Sequence, residues 1–195
     1  MRIINTQDSN FKEEFENILA RAKTDIKGVS SIVENIIEEI VLDKNEALKK
    51  HIKKFDNWEV KSDDDLQIPL VDMKAAYENI DEKLKAALHT AYDRIKSYHE
   101  KQLPKSWFDF EKNGTILGQK VTAVDRAGLY IPGGKAAYPS SLLMNAIPAL
   151  VAGVEEIVVC TPTPNGEVNE LLLAALHICG ITKAFKVGGA SAIAA

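Results

Sequence analysis

From residue 126 onward the chain alternates short apolar runs with helical stretches: AGLYI, SSLLMNAIPALVAG, EEIVVCTP, EVNELLLAALHIC, TKAFKVGG and ASAIAA. Strands separated by helices of this length are joined by crossovers, and crossovers make parallel sheets. The nearly unbroken apolar strands suit a sheet covered on both faces. The pattern therefore predicts an α/β protein with an incomplete Rossmann-like βαβαβ parallel sheet. Gly153 and Gly180 sit where the two crossover helices should stop, and Asn165-Gly166 marks a turn. Pro148 falls inside the first crossover helix, where a proline costs about 3 kcal/mol. A kink, or two short helices, is expected there.

The preceding stretch has a different texture. Of 24 basic and 28 acidic residues in all, only Arg126, Lys135, Lys183, Lys186 and five acids lie in residues 121–195. Residues 1–120 are thus expected to form a charged helical region, and 121–195 the first part of a nucleotide-binding domain, with the boundary between about 104 and 127. SNFKEEFENILARA places Phe11, Phe15, Ile18 and Leu19 on one face. SSIVENIIEEIV does the same with Ile32, Val33, Ile36, Ile37 and Ile40. DKNEALKKHIKKFD points Leu48, Ile52 and Phe55 inward and its lysines outward. After a short LQIPL stretch, a long helix from Asp81 to Gln102 should bury Leu84, Leu88, Ala91, Tyr92 and Ile95, ending before Pro104. WFDFEKNGTILGQKV reads as a β-hairpin turning at Asn113-Gly114.

Several function classes are excluded or left without support. A net charge of -4 gives no basic stripe for nucleic acid. No apolar run reaches the ~18 residues of a membrane span. MRIINTQDSNFKEEF turns acidic where a signal peptide would turn apolar, and Cys160 and Cys179 make no disulfide framework. A cytoplasmic location follows as the expectation.

In an open parallel sheet, ligands bind beyond the carboxyl ends of the strands. Two glycine pairs fall on that edge: Gly133-Gly134 after the first strand and Gly188-Gly189 after the third. Glycines there permit positive φ and close backbone approach, and helix N-termini beyond them favour anions. Ser140 and Ser141 are candidate caps, Lys135 a candidate phosphate contact, and Tyr138 a residue that either closes over a ligand or packs the loop. Neither stretch matches G-x-G-x-x-G, and no acid follows at the ribose spacing. Tight turns without a ligand remain an open alternative.

LYIPGGKAAYPSSLLMNAIPALVAGVEEIVVCTP and FKVGGASAIAA, with the upstream DKNEALKKHIKKFD, closely resemble histidinol dehydrogenase. The resemblance covers nearly the whole chain. It implies a zinc-dependent, NAD-linked, homodimeric enzyme of histidine biosynthesis that oxidises L-histidinol through an aldehyde to L-histidine. By position it implies that Tyr130 and Ser191 bind NAD. The family usually carries glutamine at position 191, and a serine hydroxyl is shorter and lacks the amide's paired donor and acceptor. The resemblance also implies that the zinc ligands and the acid–base residues lie beyond residue 195. The chain is then an N-terminal portion, inactive alone, with no catalytic or metal residue of its own.

The other candidates read as ordinary structure. His51, His89, His99 and His177 lack zinc spacing. His177 and Cys179 face different sides of a helix, and His89 with Asp93 reads as an i,i+4 surface pair. Cys160 reads as a small core residue. The lysines of 49–54 read as a solvated face balanced by acids. A nucleotide-binding module without chemistry, and a purely structural piece, remain open beside the enzyme reading.

Overall fold

The computed structural model describes residues 3–21, 26–133 and 138–195. Five helices come first: α1 (Phe11–Arg21), α2 (Ile26–Asp43), α3 (Asn45–Asp56), α4 (Leu70–Asn79) and α5 (Glu82–Glu100). A hairpin of β1 (Trp107–Phe110) and β2 (Ile116–Gln119) follows. The remainder is β3 (Arg126–Tyr130), α6 (Pro139–Ala152), β4 (Glu156–Cys160), α7 (Glu170–Ile178), β5 (Lys183–Phe185) and α8 (Gly189–Ala194). The sheet order is β3-β4-β5, parallel throughout, with Tyr130 beside Cys160 and Cys160 beside Phe185. The expected βαβαβ unit is therefore present.

The helices begin and end as their sequences require. The Asp81 carboxylate accepts from the Lys83 and Leu84 amides and starts α5. Gly153 and Gly180 take φ of +84° and +67°, where a Cβ would be strained, and terminate α6 and α7. Pro148 does not divide α6, which runs through it as one helix. Ser140 and Ser141 are not its caps. Pro139 occupies the first turn, where its fixed φ already suits a helix, and the serines fall inside that turn.

One core cluster joins α4 and α5 to the sheet's crossover helices: Met73, Ile80 and Leu88 pack with Leu142, Ile147, Val159 and Leu176. The α4 helix lies against α7, and α5 against α6. A second cluster joins Ile40, Leu48, Ile52 and Leu66 to Val187. Residues 66–68 bond antiparallel to β5: the Ile68 amide donates to the Ala184 carbonyl at 2.8 Å, and the Lys186 amide to the Leu66 carbonyl at 2.7 Å. The LQIPL stretch thus covers an edge that would otherwise leave ladder groups unpaired.

Some faces expected to be buried are not. Phe15, Ile18 and Leu19 of α1, Ile32 and Ile37 of α2, and Leu84 of α5 are exposed. Periodicity fixes which face of a helix is apolar, not whether a neighbour covers it. Phe55 is also exposed. In α3 the buried stripe runs Leu48, Ile52, Asp56, because the Asp56 carboxylate accepts from the buried Thr163 amide at 3.1 Å. That bond fastens the end of α3 to the end of β4.

Candidate functional site

Three segments leave the carboxyl ends of the strands together: Ile131-Pro132-Gly133 after β3, Thr161-Pro162-Thr163 after β4, and Lys186-Val187-Gly188 after β5. Pro162 is held between the two glycine segments. A Cβ on Gly133 would fall 2.6 Å from the Pro162 carbonyl oxygen; one on Gly188 would collide with the Pro162 Cβ and sit 2.9 Å from its Cα. Gly188 has φ −117° and ψ 175°, open to any residue, so its glycine is required by contact rather than by conformation. Gly189, at φ +63°, is the one of that pair that needs conformational freedom. Gly134 and Lys135 lie outside the described residues.

Tyr130 closes this edge from the first strand. Its hydroxyl accepts from the Gly189 amide at 3.2 Å, linking the end of β3 to the start of α8. Ser191, in the first turn of α8, is buried. Its hydroxyl lies 2.8 Å from Nδ1 of His51, and Nε2 of that ring lies 3.0 Å from the Glu39 carboxylate. Lys50 also reaches Glu39, at 2.7 Å. Lys50 first, and His51 second, hold the Glu39 carboxyl below its ordinary range.

Beside Ser191 opens a cleft of about 280 Å³ walled by Ile32, Ile36, His51, Ile52, Phe55, Asp56, Pro162 and residues 188–191. A second space of about 270 Å³ shares Ile32, Ile36, His51 and Phe55 and ends among Asn35, Glu39, Lys50 and Lys54. Together they form an apolar trough with a charged end. Near Pro132, Gly133 and Tyr138 a smaller hollow of about 50 Å³ includes buried Thr161 in its wall. The Thr161 and Thr163 hydroxyls have no hydrogen-bond partner among the described residues.

Sequence reasoning singled out Tyr130 and Ser191, and both stand at this edge. It missed Pro162, Asp56, Phe55, His51 and Glu39. Only the T-P-T-P run after β4 could have signalled any of them. His89 donates to or accepts from the Tyr77 hydroxyl at 3.0 Å, rather than pairing with Asp93. The His177 ring lies 5.0 Å from Tyr77, away from the cleft. Three of the lysines of 49–54 meet acids, Lys49 with Asp63 at 2.7 Å, Lys50 with Glu39 and Lys53 with Glu59 at 3.5 Å, while Lys54 lies over the Phe55 ring. Burial raises the Cys160 thiol pKa and takes that of Cys179 to about 12, so neither is a ready thiolate. No group of three metal-ligating side chains exists among the described residues, so those residues do not fit a zinc ion. No helix among them is long and apolar enough to cross a membrane.

A parallel β3-β4-β5 sheet joined by crossover helices, behind a helical N-terminal region, defines an α/β protein with a Rossmann-like sheet. The family model described as histidinol dehydrogenase matches residues 19–195. The chain belongs to the histidinol dehydrogenase family. It is 67% identical to histidinol dehydrogenase of Sulfurimonas denitrificans over 190 residues, covering 97% of this chain and 44% of that protein. With the Wolinella succinogenes histidinol dehydrogenase it shares 60% identity over 192 residues, 98% of this chain and 44% of the relative. The crystal structure of histidinol dehydrogenase from Elizabethkingia anophelis superposes with a TM-score of 0.78 at 29% identity, over 85% of this chain and 38% of that one. The chain therefore spans about 44% of the length of these curated relatives.

Proposed function

We propose that this chain forms the NAD-binding portion of a cytoplasmic, homodimeric histidinol dehydrogenase that converts L-histidinol through the aldehyde to L-histidine. The observation that carries the reading is the meeting of the three strand-end loops on Pro162, with Pro162 and residues 188–191 walling the cleft and the Tyr130 hydroxyl bonded to the Gly189 amide. Residues 121–195 provide the nucleotide edge and residues 1–120 the helical wall opposite it. Tyr130, Gly188 and Ser191 would hold the cofactor. NAD, when bound, supplies the hydride acceptor for the alcohol and aldehyde oxidations. What this chain's own residues do is bind and orient: Phe55, Ile32 and Ile36 offer an apolar wall that excludes water, and Ser191 offers a polar contact within it. No step through zinc is assigned to these residues.

Calorimetric titration with NAD tests this reading. The chain is expected to bind with a Kd on the order of 100 µM, in the usual range for such ligands. Tyr130→Ala, which removes both the ring and the acceptor of the Gly189 amide, is expected to weaken binding about tenfold. Unchanged affinity in Tyr130→Ala, or no saturable heat with the unmodified chain, would refute the cofactor assignment.

A further inference from the structure

The Ser191 hydroxyl carries one hydrogen and two lone pairs, and its polarity toward the cleft depends on where that hydrogen goes. The three groups in line with it answer the question. A carboxylate only accepts, so at the 3.0 Å contact with Glu39 the hydrogen belongs to Nε2 of His51. In the tautomer protonated at Nε2 alone, Nδ1 is bare. In that tautomer Nδ1 accepts at 2.8 Å, and the donor is the Ser191 hydroxyl. What remains on Oγ is lone pairs. His51 and Ser191 are each less than 5% exposed, so water does not readily compete for this arrangement: His51 is at 4% and Ser191 at 3%. Both residues form part of the cleft wall.

We infer that Glu39 and His51 are positioning residues that fix the Ser191 hydroxyl as a hydrogen-bond acceptor at the cleft, so that the cleft selects a dinucleotide presenting a donor there. This rests on the cofactor reading above and adds what that reading lacks, the direction of the contact and the residues that set it. Three groups of NAD carry such donors: the nicotinamide carboxamide, the ribose hydroxyls and the adenine amino group. A ligand group that can only accept would face Oγ lone pair to lone pair, and would bind poorly. The arrangement requires a residue 140 positions away in the chain, and it ties the wall of helices α2 and α3 to the glycine edge through one hydroxyl.

The test has a ligand-free arm and a binding arm. Nitrogen-15 spectra of the histidine-labelled chain are expected to show His51 protonated at Nε2 alone, and Glu39→Ala is expected to abolish that preference. A ring protonated at Nδ1, alone or in addition, would reverse the hydroxyl and overturn the inference. In NAD titrations, Ser191→Ala and His51→Phe are each expected to weaken binding about fivefold, the worth of one neutral hydrogen bond. The double variant is expected to lose about fivefold as well, because the polar effect of His51 passes through Ser191 and phenylalanine keeps a ring in the wall. Losses that multiply would overturn the positioning role while leaving the cofactor reading intact; variants that bind as the unmodified chain does would overturn the positioning role and remove Ser191 from the cofactor site, leaving Tyr130 and Gly188. Should His51→Phe not fold, Glu39→Ala replaces it in the cycle, since Glu39 is half exposed and outside the core; a loss of about twofold that vanishes in the Ser191→Ala background is expected. An NAD analogue with acetyl in place of the carboxamide distinguishes the donors. If it alone is weakened in the unmodified chain but not in Ser191→Ala, the carboxamide is the donor; if it follows NAD throughout, a ribose hydroxyl or the adenine amino group is. Failure of the unmodified chain to bind NAD at all would overturn both this role and the cofactor reading.

Discussion

Gly188→Val is expected to destabilise the fold by about 3 kcal/mol, the upper end of the usual cost of overpacking, and to reduce NAD affinity at least tenfold. The backbone at 188 is extended, so valine meets no conformational objection there. The objection is Pro162, whose ring and Cα occupy the place of the new side chain. Pro162 cannot retreat, because Gly133 is packed against its carbonyl on the other side. The β5 segment must move instead, and Gly188, Gly189 and Ser191 move with it out of the cleft wall. Gly189→Ala is the control. A Cβ at that position meets nothing within 4 Å, so the cost is only the left-handed φ, about 1 kcal/mol. Thermal melts and NAD titrations of the two variants check this; equal effects of Gly188→Val and Gly189→Ala would show that contact with Pro162 is not what position 188 requires.

Leu142→Ala is expected to cost about 3 kcal/mol, within the range for a fully buried leucine. For a chain of this size that lowers the melting temperature by roughly 9 °C. Leu142 is fully enclosed within the cluster that joins α6 to α4, α5 and α7. Its removal leaves a cavity between layers that cannot close without shifting a crossover helix. The cleft residues are elsewhere, so NAD affinity of the folded protein is expected to stay within about twofold, as for independent sites. The two substitutions therefore separate stability from binding: Gly188→Val affects both, Leu142→Ala stability alone. Urea denaturation showing a loss below about 1 kcal/mol for Leu142→Ala would contradict the assigned core.

The parallel sheet was legible because its strands are short apolar runs between helices ended by glycine. The hairpin was legible from Asn113-Gly114, where Gly114 takes φ +87°. Helix α4 was not seen. Leu70 and Val71 are apolar but exposed, while Met73 and Ala76 are buried, so the segment shows no clean periodic face. LQIPL could not be recognised as an edge cover, since its partner β5 lies over 100 residues later. The glycine pairs were visible, yet their different reasons were not: one glycine avoids a proline and the next needs positive φ. Ser191 could be marked from resemblance alone, but its buried bond to His51 is a tertiary fact. A histidine on a lysine-rich helix gives no local sign that it bonds a serine 140 residues later.

On the proposed reading, the strand-end loops around Pro162 and the cleft beside them form the nucleotide site. Backbone amide shifts recorded while NAD is added to the isotopically labelled chain test it most directly. Saturable shifts are predicted at Tyr130, Gly133, Thr161 and the Gly188–Ser191 turn, with the Trp107–Gln119 hairpin unmoved. No saturable shift, or shifts confined to the hairpin or to α5, would contradict the account.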